Sequence, residues 1–91
     1  MSLDGASIPH LAAGVRLQHD AARGRWVLLA PERVVVPDTT AVDVLQRLDG
    51  TASVAELTAA LAEEYDAPAE QIQADVLELL DDLQRRGLIA A

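Results

Sequence analysis

Residues 24–50 read GRWVLLAPERVVVPDTTAVDVLQRLDG, and the hydrophobic period changes inside them. Arg25–Leu29 is rich in β-forming residues, Pro31 interrupts it, and Val34–Val36 is a short β-branched run closed by Pro37. A proline on each flank of a short strand suits a sheet edge, where a missing amide costs no ladder bond. From Asp38 the period is helical: Ala41, Val44, Leu45 and Leu48 recur on one face, Asp38, Thr39 and Thr40 offer caps, and Gly50 stops the run. Upstream, Val15, Leu17 and His19 alternate with Arg16, Gln18 and Asp20, and the AARG turn at 21–24 joins this run to Arg25–Leu29 as a hairpin. Downstream, Ser53 and Glu56 have capping-box spacing. Pro68 opens a third helical run that ends at Arg85, Arg86 and Gly87, with Leu88 placed for a Schellman contact. The predicted class is α+β: a three-stranded antiparallel sheet over about residues 15–36, then helices at about 39–49, 53–65 and 68–86. Residues 1–14 lack either period and read as a flexible or loosely packed arm, with Ile8 and Leu11 as its anchors.

The composition narrows the function. The chain has 91 residues, enough for one small domain and not two. Its apolar fraction is 51%, carried by 14 Leu, 9 Val and 3 Ile beside 17 Ala, so the core is aliphatic. There is no Cys, which excludes a disulfide scaffold, a thiolate zinc site, an iron–sulfur cluster and a Cys nucleophile. No secretory signal and no span of about 18 apolar residues is visible, so a cytoplasmic location and no membrane partner are expected. Charge is unevenly divided: residues 1–37 are net +1 and residues 38–91 net −9, with no Lys anywhere. An acidic helical half repels phosphate backbones, so nucleic acid is a poor partner.

Catalysis needs convergent groups. His10 and His19 are the only imidazoles, and neither has metal-ligand spacing with a partner. The helical acids have the spacing of a solvated face, and the five glycines are too scattered for a phosphate loop. No catalytic residue, metal ligand or cofactor site is expected.

Two features suggest binding instead. In the third helix Ile72, Val76, Leu79 and Leu83 form one stripe, Leu80 lies on its shoulder and Leu77 well off its centre. The Leu77 and Leu80 flank is either wider core contact with the second helix or one wall of a groove. The strand Val34–Val36 is either paired or covered by the arm, or it offers free amides and carbonyls to an extended peptide.

The runs HLAAGVRLQHD, GRWVLLAPERVVVPDTTAVDVLQRLDG, SVAELTAALAEEYDAP and DVLELLDDLQRRGLI resemble the PqqD family of pyrroloquinoline quinone biosynthesis across nearly the whole chain, from about Pro9 to Ile89. The most specific part is RWVLLAPERVV followed by an acid, Thr and Ala. A departure is Ala13, where the family often has Pro. The resemblance implies a winged-helix-like recognition element for ribosomally made, post-translationally modified peptides. It implies a non-enzymatic adaptor that binds the precursor peptide PqqA as a strand beside the third β-strand and on the third helix. The peptide would then be presented to PqqE, a radical enzyme that uses S-adenosylmethionine and iron–sulfur clusters to cross-link a Glu and a Tyr. Carried onto this sequence, the binding residues are Val34, Val35 and Val36 with Asp75, Val76, Leu77, Leu79, Leu80 and Leu83. Charge adds Arg33 and Arg25 as partners for acidic groups of the peptide. An open strand edge also permits a weak or swapped homodimer beside the monomer.

Two other classes fit the size. A DNA-binding winged helix would read with the third helix, which carries Asp75, Glu78, Asp81 and Asp82 against Arg85 and Arg86, the wrong sign for a phosphate-lined groove. An acidic carrier protein needs a Ser at a helix start within Asp-Ser-Leu, whereas Ser53 lies in Ala-Ser-Val.

Overall fold

The computed structural model describes residues 3–91; Met1 and Ser2, counted in the predicted arm, lie outside the described residues. The chain order is β1 (His10–Leu11), β2 (Arg16–Asp20), β3 (Arg25–Ala30), β4 (Arg33–Val35), α1 (Thr39–Leu45), α2 (Val54–Tyr65), α3 (Ala69–Arg85) and β5 (Ile89–Ala90). The three-stranded antiparallel sheet has the order β2-β3-β4. Three helices come after it, as the change of period predicts.

Turn chemistry fixes the strand register. Gly24 takes a positive φ of 63° in the β2–β3 turn, and His19 meets Trp26 across it, edge to face at 5.1 Å. Pro31 and Glu32 alone separate β3 from β4, with Ala30 opposite Arg33. Pro31 supplies its fixed φ at the first corner, and Glu32 occupies the left-handed region at φ 67°, a place that glycine fills without strain.

The helices start and stop where their caps are. The Asp38 carboxylate accepts from the Ala41 amide, and Ser53 with Glu56 forms the reciprocal capping box of α2. Pro68 is the N-cap of α3, one position before its first helical residue. Leu88 donates to the Leu83 carbonyl and Gly87, at φ 74°, to that of Gln84, which completes a Schellman stop. α1 ends at Leu45, short of the expected residue 49. Asp49 explains this: its carboxylate accepts the amides of Thr51 and Ala52, both at 2.9 Å, and draws the chain into the next connection. Those bonds, from Ala52 first and then Thr51, hold the Asp49 carboxyl below the ordinary 3.8.

One core joins the layers. Leu28 from the middle strand, Val44, Val54, Leu61, Leu80, Leu88 and Ile89 are almost wholly buried together. The N-terminal segment belongs to this core and is not a loose arm. Leu3 is buried in the core cluster, its amide donates to Asp81, and Pro9 is fully buried. The amides of Val54 and Ala55 donate to the carbonyls of Ser7 and Gly5, which ties the segment to the start of α2. β1 then pairs with β5, His10 opposite Ala90 and Leu11 opposite Ile89, as a second, two-stranded sheet. Leu11 does pack on the core, but Ile8, the other expected anchor, is exposed.

Thr58, in the middle of α2, is 1% exposed, and its hydroxyl has no hydrogen-bond partner. A buried hydroxyl without a partner is a net cost. Thr58→Val should therefore raise stability by about 1 kcal/mol, while Ser53→Ala should lower it by about 1 kcal/mol through loss of the cap. Urea unfolding followed by circular dichroism measures both, and equal signs would contradict this assignment. The Asp49 bonds predict a pH dependence. A carboxyl held low contributes stability that is fully present above 3.8 and lost as pH falls through its folded value. The melting-temperature gap between wild type and Asp49→Ala should be full at neutral pH and narrow in acid.

Candidate functional site

β4 is the last strand of its sheet. It pairs with β3 on one side, and among the described residues nothing pairs with the other. Ala30 and Arg33 close a two-residue turn and so form a hydrogen-bonded pair. Val34, next along, then belongs to the alternate pair and turns its N–H and C=O away from β3. Its side chain is 61% exposed, that of Val36 50%, and Val35 is half-buried against the core.

One end of this strand is bonded to the end of α3, and the other leads to a groove that α3 lines. At the start, the Arg33 guanidinium donates to the carbonyl of Arg86, just past the last turn of α3. At the exit, Val36 and Pro37 lead to Asp38, which caps α1 and lines a groove between α1 and α3. That groove holds about 340 Å³. Ala41, Val44, Leu61, Ile72, Val76 and Leu79 supply its apolar surface, and Asp38, Thr40, Tyr65 and Asp75 its polar lining. Tyr65 is partly exposed, and its hydroxyl donates to Asp43 on α1, which ties the end of α2 to this wall. Asp75 accepts from Gln71 one turn earlier. No basic residue lines the groove, so its mouth is anionic.

The structure separates the sequence-predicted residues. Val34, Val35 and Val36 are at the sheet edge, and Asp75, Val76 and Leu79 are on the groove wall. Leu80 and Leu83 are elsewhere: both are buried in the core cluster, Leu80 completely. Leu80 therefore backs the wall and offers no surface. Leu77 is half-buried and lines a separate shallow depression with Ala69, Glu70, Gln73 and Ala74. Arg33, expected to await an acidic guest, is engaged with α3. Arg25 lies on β3 in a pair opposite Asp20, away from the edge. Thr40, Ala41, Val44 and Tyr65 were not legible as a wall, because on the sequence they read only as cap, helix face or helix end. Ile72 was placed in the core stripe but stays half-buried at the groove.

These features sit on a recognisable scaffold. A family model described as Coenzyme PQQ synthesis protein D (PqqD) matches residues 25–89. The chain belongs to the PqqD family. A PqqA binding protein of Xanthomonas euvesicatoria pv. vesicatoria is 59% identical over 83 residues, covering 91% of this chain and 90% of the relative. A PqqA binding protein of Xanthomonas oryzae pv. oryzae is 54% identical over 88 residues, covering 97% and 96%. The solution structure of the PqqD truncation of Methylobacterium extorquens PqqCD, described as a functional, stand-alone recognition element for ribosomally synthesized and post-translationally modified peptides, superposes with a TM-score of 0.85 at 38% identity. The match covers 99% of this chain and 96% of that one. The crystal structure of PqqD from Xanthomonas campestris is 53% identical with a TM-score of 0.58, covering 93% and 94%. The fold of this PqqD-family chain is thus that of the recognition element.

The link between β4 and α3 generates a test. Arg33→Ala should destabilise the protein by about 1 kcal/mol through loss of a charge-assisted bond at the α3 C-terminus, and Arg33→Lys should recover only part of it. Denaturant titration checks this; no change in either variant would remove the bond from the architecture.

Proposed function

We propose that this chain is a non-catalytic adaptor that binds the precursor peptide PqqA and presents it to the radical enzyme PqqE in pyrroloquinoline quinone biosynthesis. The observation that carries the reading is the unpaired outer edge of β4. An extended peptide adds there as a fourth strand, and main-chain pairing supplies affinity with little demand on sequence. Side chains then alternate. One set faces α3 and the groove, where Val76, Leu79 and Ile72 present apolar surface and Asp75 a charge; the other set lies beside Val34. Arg33 holds the edge at a fixed distance from the helix, and Leu80 and Leu83 stiffen the wall from behind. Leu77 takes no part.

Several things support this assignment. The relatives with more than half of their residues identical are named for binding PqqA. The Methylobacterium relative with the same fold is described as a functional recognition element on its own. A lasso peptide synthetase B1 complexed with its leader peptide shares the fold with a TM-score of 0.78, and its 22% identity speaks to fold alone. With no Cys in the sequence, a cluster held by thiolates belongs to another protein, so the cross-linking chemistry falls to the partner. No helix of the described residues is long and apolar enough to cross a membrane. The cytoplasm, where such an enzyme would work, is the proposed setting, and the monomer is the proposed working form.

An NMR titration with synthetic PqqA tests the site. Amide shifts should concentrate on Val34–Val36 and on α3 between Ile72 and Leu79. Shifts confined to the α2 surface around Glu63 would sink the assignment. Val34→Pro removes one outward amide while leaving the β3 pairing intact, and should weaken peptide binding about tenfold or more. Affinity equal to wild type, with the fold retained, would take the edge out of the mechanism.

A further inference from the structure

The groove beside the strand edge carries a charge that no residue of this chain answers. Asp38 stands on its α1 wall and Asp75 on its α3 wall, both exposed. The Asp38 carboxylate accepts from the Ala41 amide and that of Asp75 from the Gln71 side chain. Neither forms an ion pair among the described residues. The chain's seven basic residues are all Arg, and none lines the groove. Arg23, Arg47, Arg85 and Arg86 pair with other acids, and Arg33 holds the Arg86 carbonyl. Between the two carboxylates the surface is apolar: Val76 is buried, and Ile72 and Leu79 are half-buried.

We propose, resting on the adaptor reading, that Asp38 and Asp75 select a guest peptide bearing a Lys or Arg, whose aliphatic stem lies on Ile72, Val76 and Leu79 and whose cationic head sits at the two carboxylates. Charge complementarity picks that occupant. A wholly apolar side chain would cover the floor but draw the carboxylates from water with no counter-charge. An acidic one meets like charge from both walls, in the half of the chain that is net −9. Lys and Arg alone combine an apolar stem with a charged tip that stays near water. A metal ion is the other cation to weigh, and among the described residues no three acids or imidazoles converge to hold one. The groove also lies where the guest arrives, because Val36 and Pro37 lead straight from β4 to Asp38. Every second guest side chain points to the α3 side, and the selected cation is one of that set. Main-chain pairing is tolerant of sequence, so the two acids supply discrimination that the strand edge lacks. Asp38 has two tasks, capping α1 and facing the guest, and Asn separates them, since it keeps an acceptor for the Ala41 amide and loses the charge.

The test titrates the full chain with synthetic PqqA by calorimetry at low salt. Asp38→Asn/Asp75→Asn should weaken binding about fivefold, the scale of partly exposed ion contacts, and flatten the salt dependence of wild type. Glu63→Gln/Glu70→Gln removes the same charge away from the groove and should stay within about twofold, because screening weakens distant charges. In the peptide, each Lys is replaced in turn by norleucine and each Arg by citrulline. One position should lose about fivefold against wild type and nothing against the Asn pair, the signature of direct coupling. If circular dichroism shows the Asn pair unfolded, Asp75→Asn alone leaves the α1 cap untouched and gives the same comparison with a smaller loss. Equal affinity of wild type and the Asn pair overturns the proposal and leaves the adaptor reading standing. So does a loss that every peptide variant shares, or one that the Glu63 and Glu70 control reproduces. Self-association of wild type that the Asn pair disperses in sedimentation also overturns it, with a second copy as the occupant. Wild type that fails to bind PqqA refutes the adaptor reading itself, and the selection with it.

Discussion

The open margin of β4 starts at the Arg33 guanidinium, which grips the Arg86 carbonyl, and leads to Asp38, which caps α1 at the groove. The first of these bonds ties the strand to the C-terminal end of α3. In the proposed strand addition the guest meets backbone and side-chain contacts at once. An edge alone is indiscriminate and invites self-association. A helical groove alone asks its guest to lose chain entropy without main-chain bonds to offset it. Placed side by side at a set spacing, each makes the other useful.

The rest of the molecule supports that spacing. α3 is stopped by Gly87 and sent into β5, which pairs with β1 and draws the N-terminal segment across the bundle. Leu3 and Pro9 then fill space that a chain of this size has few other residues to fill. α1 and α2 are capped by side chains drawn from short connections, and Pro68 opens α3 without one.

Much of this was legible in residue order. The shift of period at Asp38, the box at Ser53 and Glu56, and the stop at Gly87 each encode a local event, and local events are what sequence spacing reports. The edge character of β4 was legible for the same reason, from Pro31 and Pro37. The N-terminal segment was not, because its order comes from Ile89, Ala90 and the start of α2, all distant in sequence. The wall of α3 was legible only in outline. A period of 3.6 locates an apolar arc but not which layer each part of it meets. Val76, Leu80 and Leu83 are the buried residues of α3, which packs chiefly on α2, so the buried centre lies nearer Leu80 than the stripe suggests. Leu79 and Ile72 are consequently left at the groove. Arg33 was identified by its charge, but its engagement by a helix terminus 53 residues away has no signature in spacing.

Gly87 ties two parts of the protein to one backbone conformation. Its left-handed φ of 74° ends α3, and a Cβ placed on it would sit 3.8 Å from the Arg33 guanidinium, an ordinary contact, so conformation and not room is the constraint. Relief of that strain in any substitution would displace the Arg86 carbonyl that Arg33 grips as well as the exit into β5. A lesion there would loosen the sheet edge as readily as the pairing of the two short terminal strands.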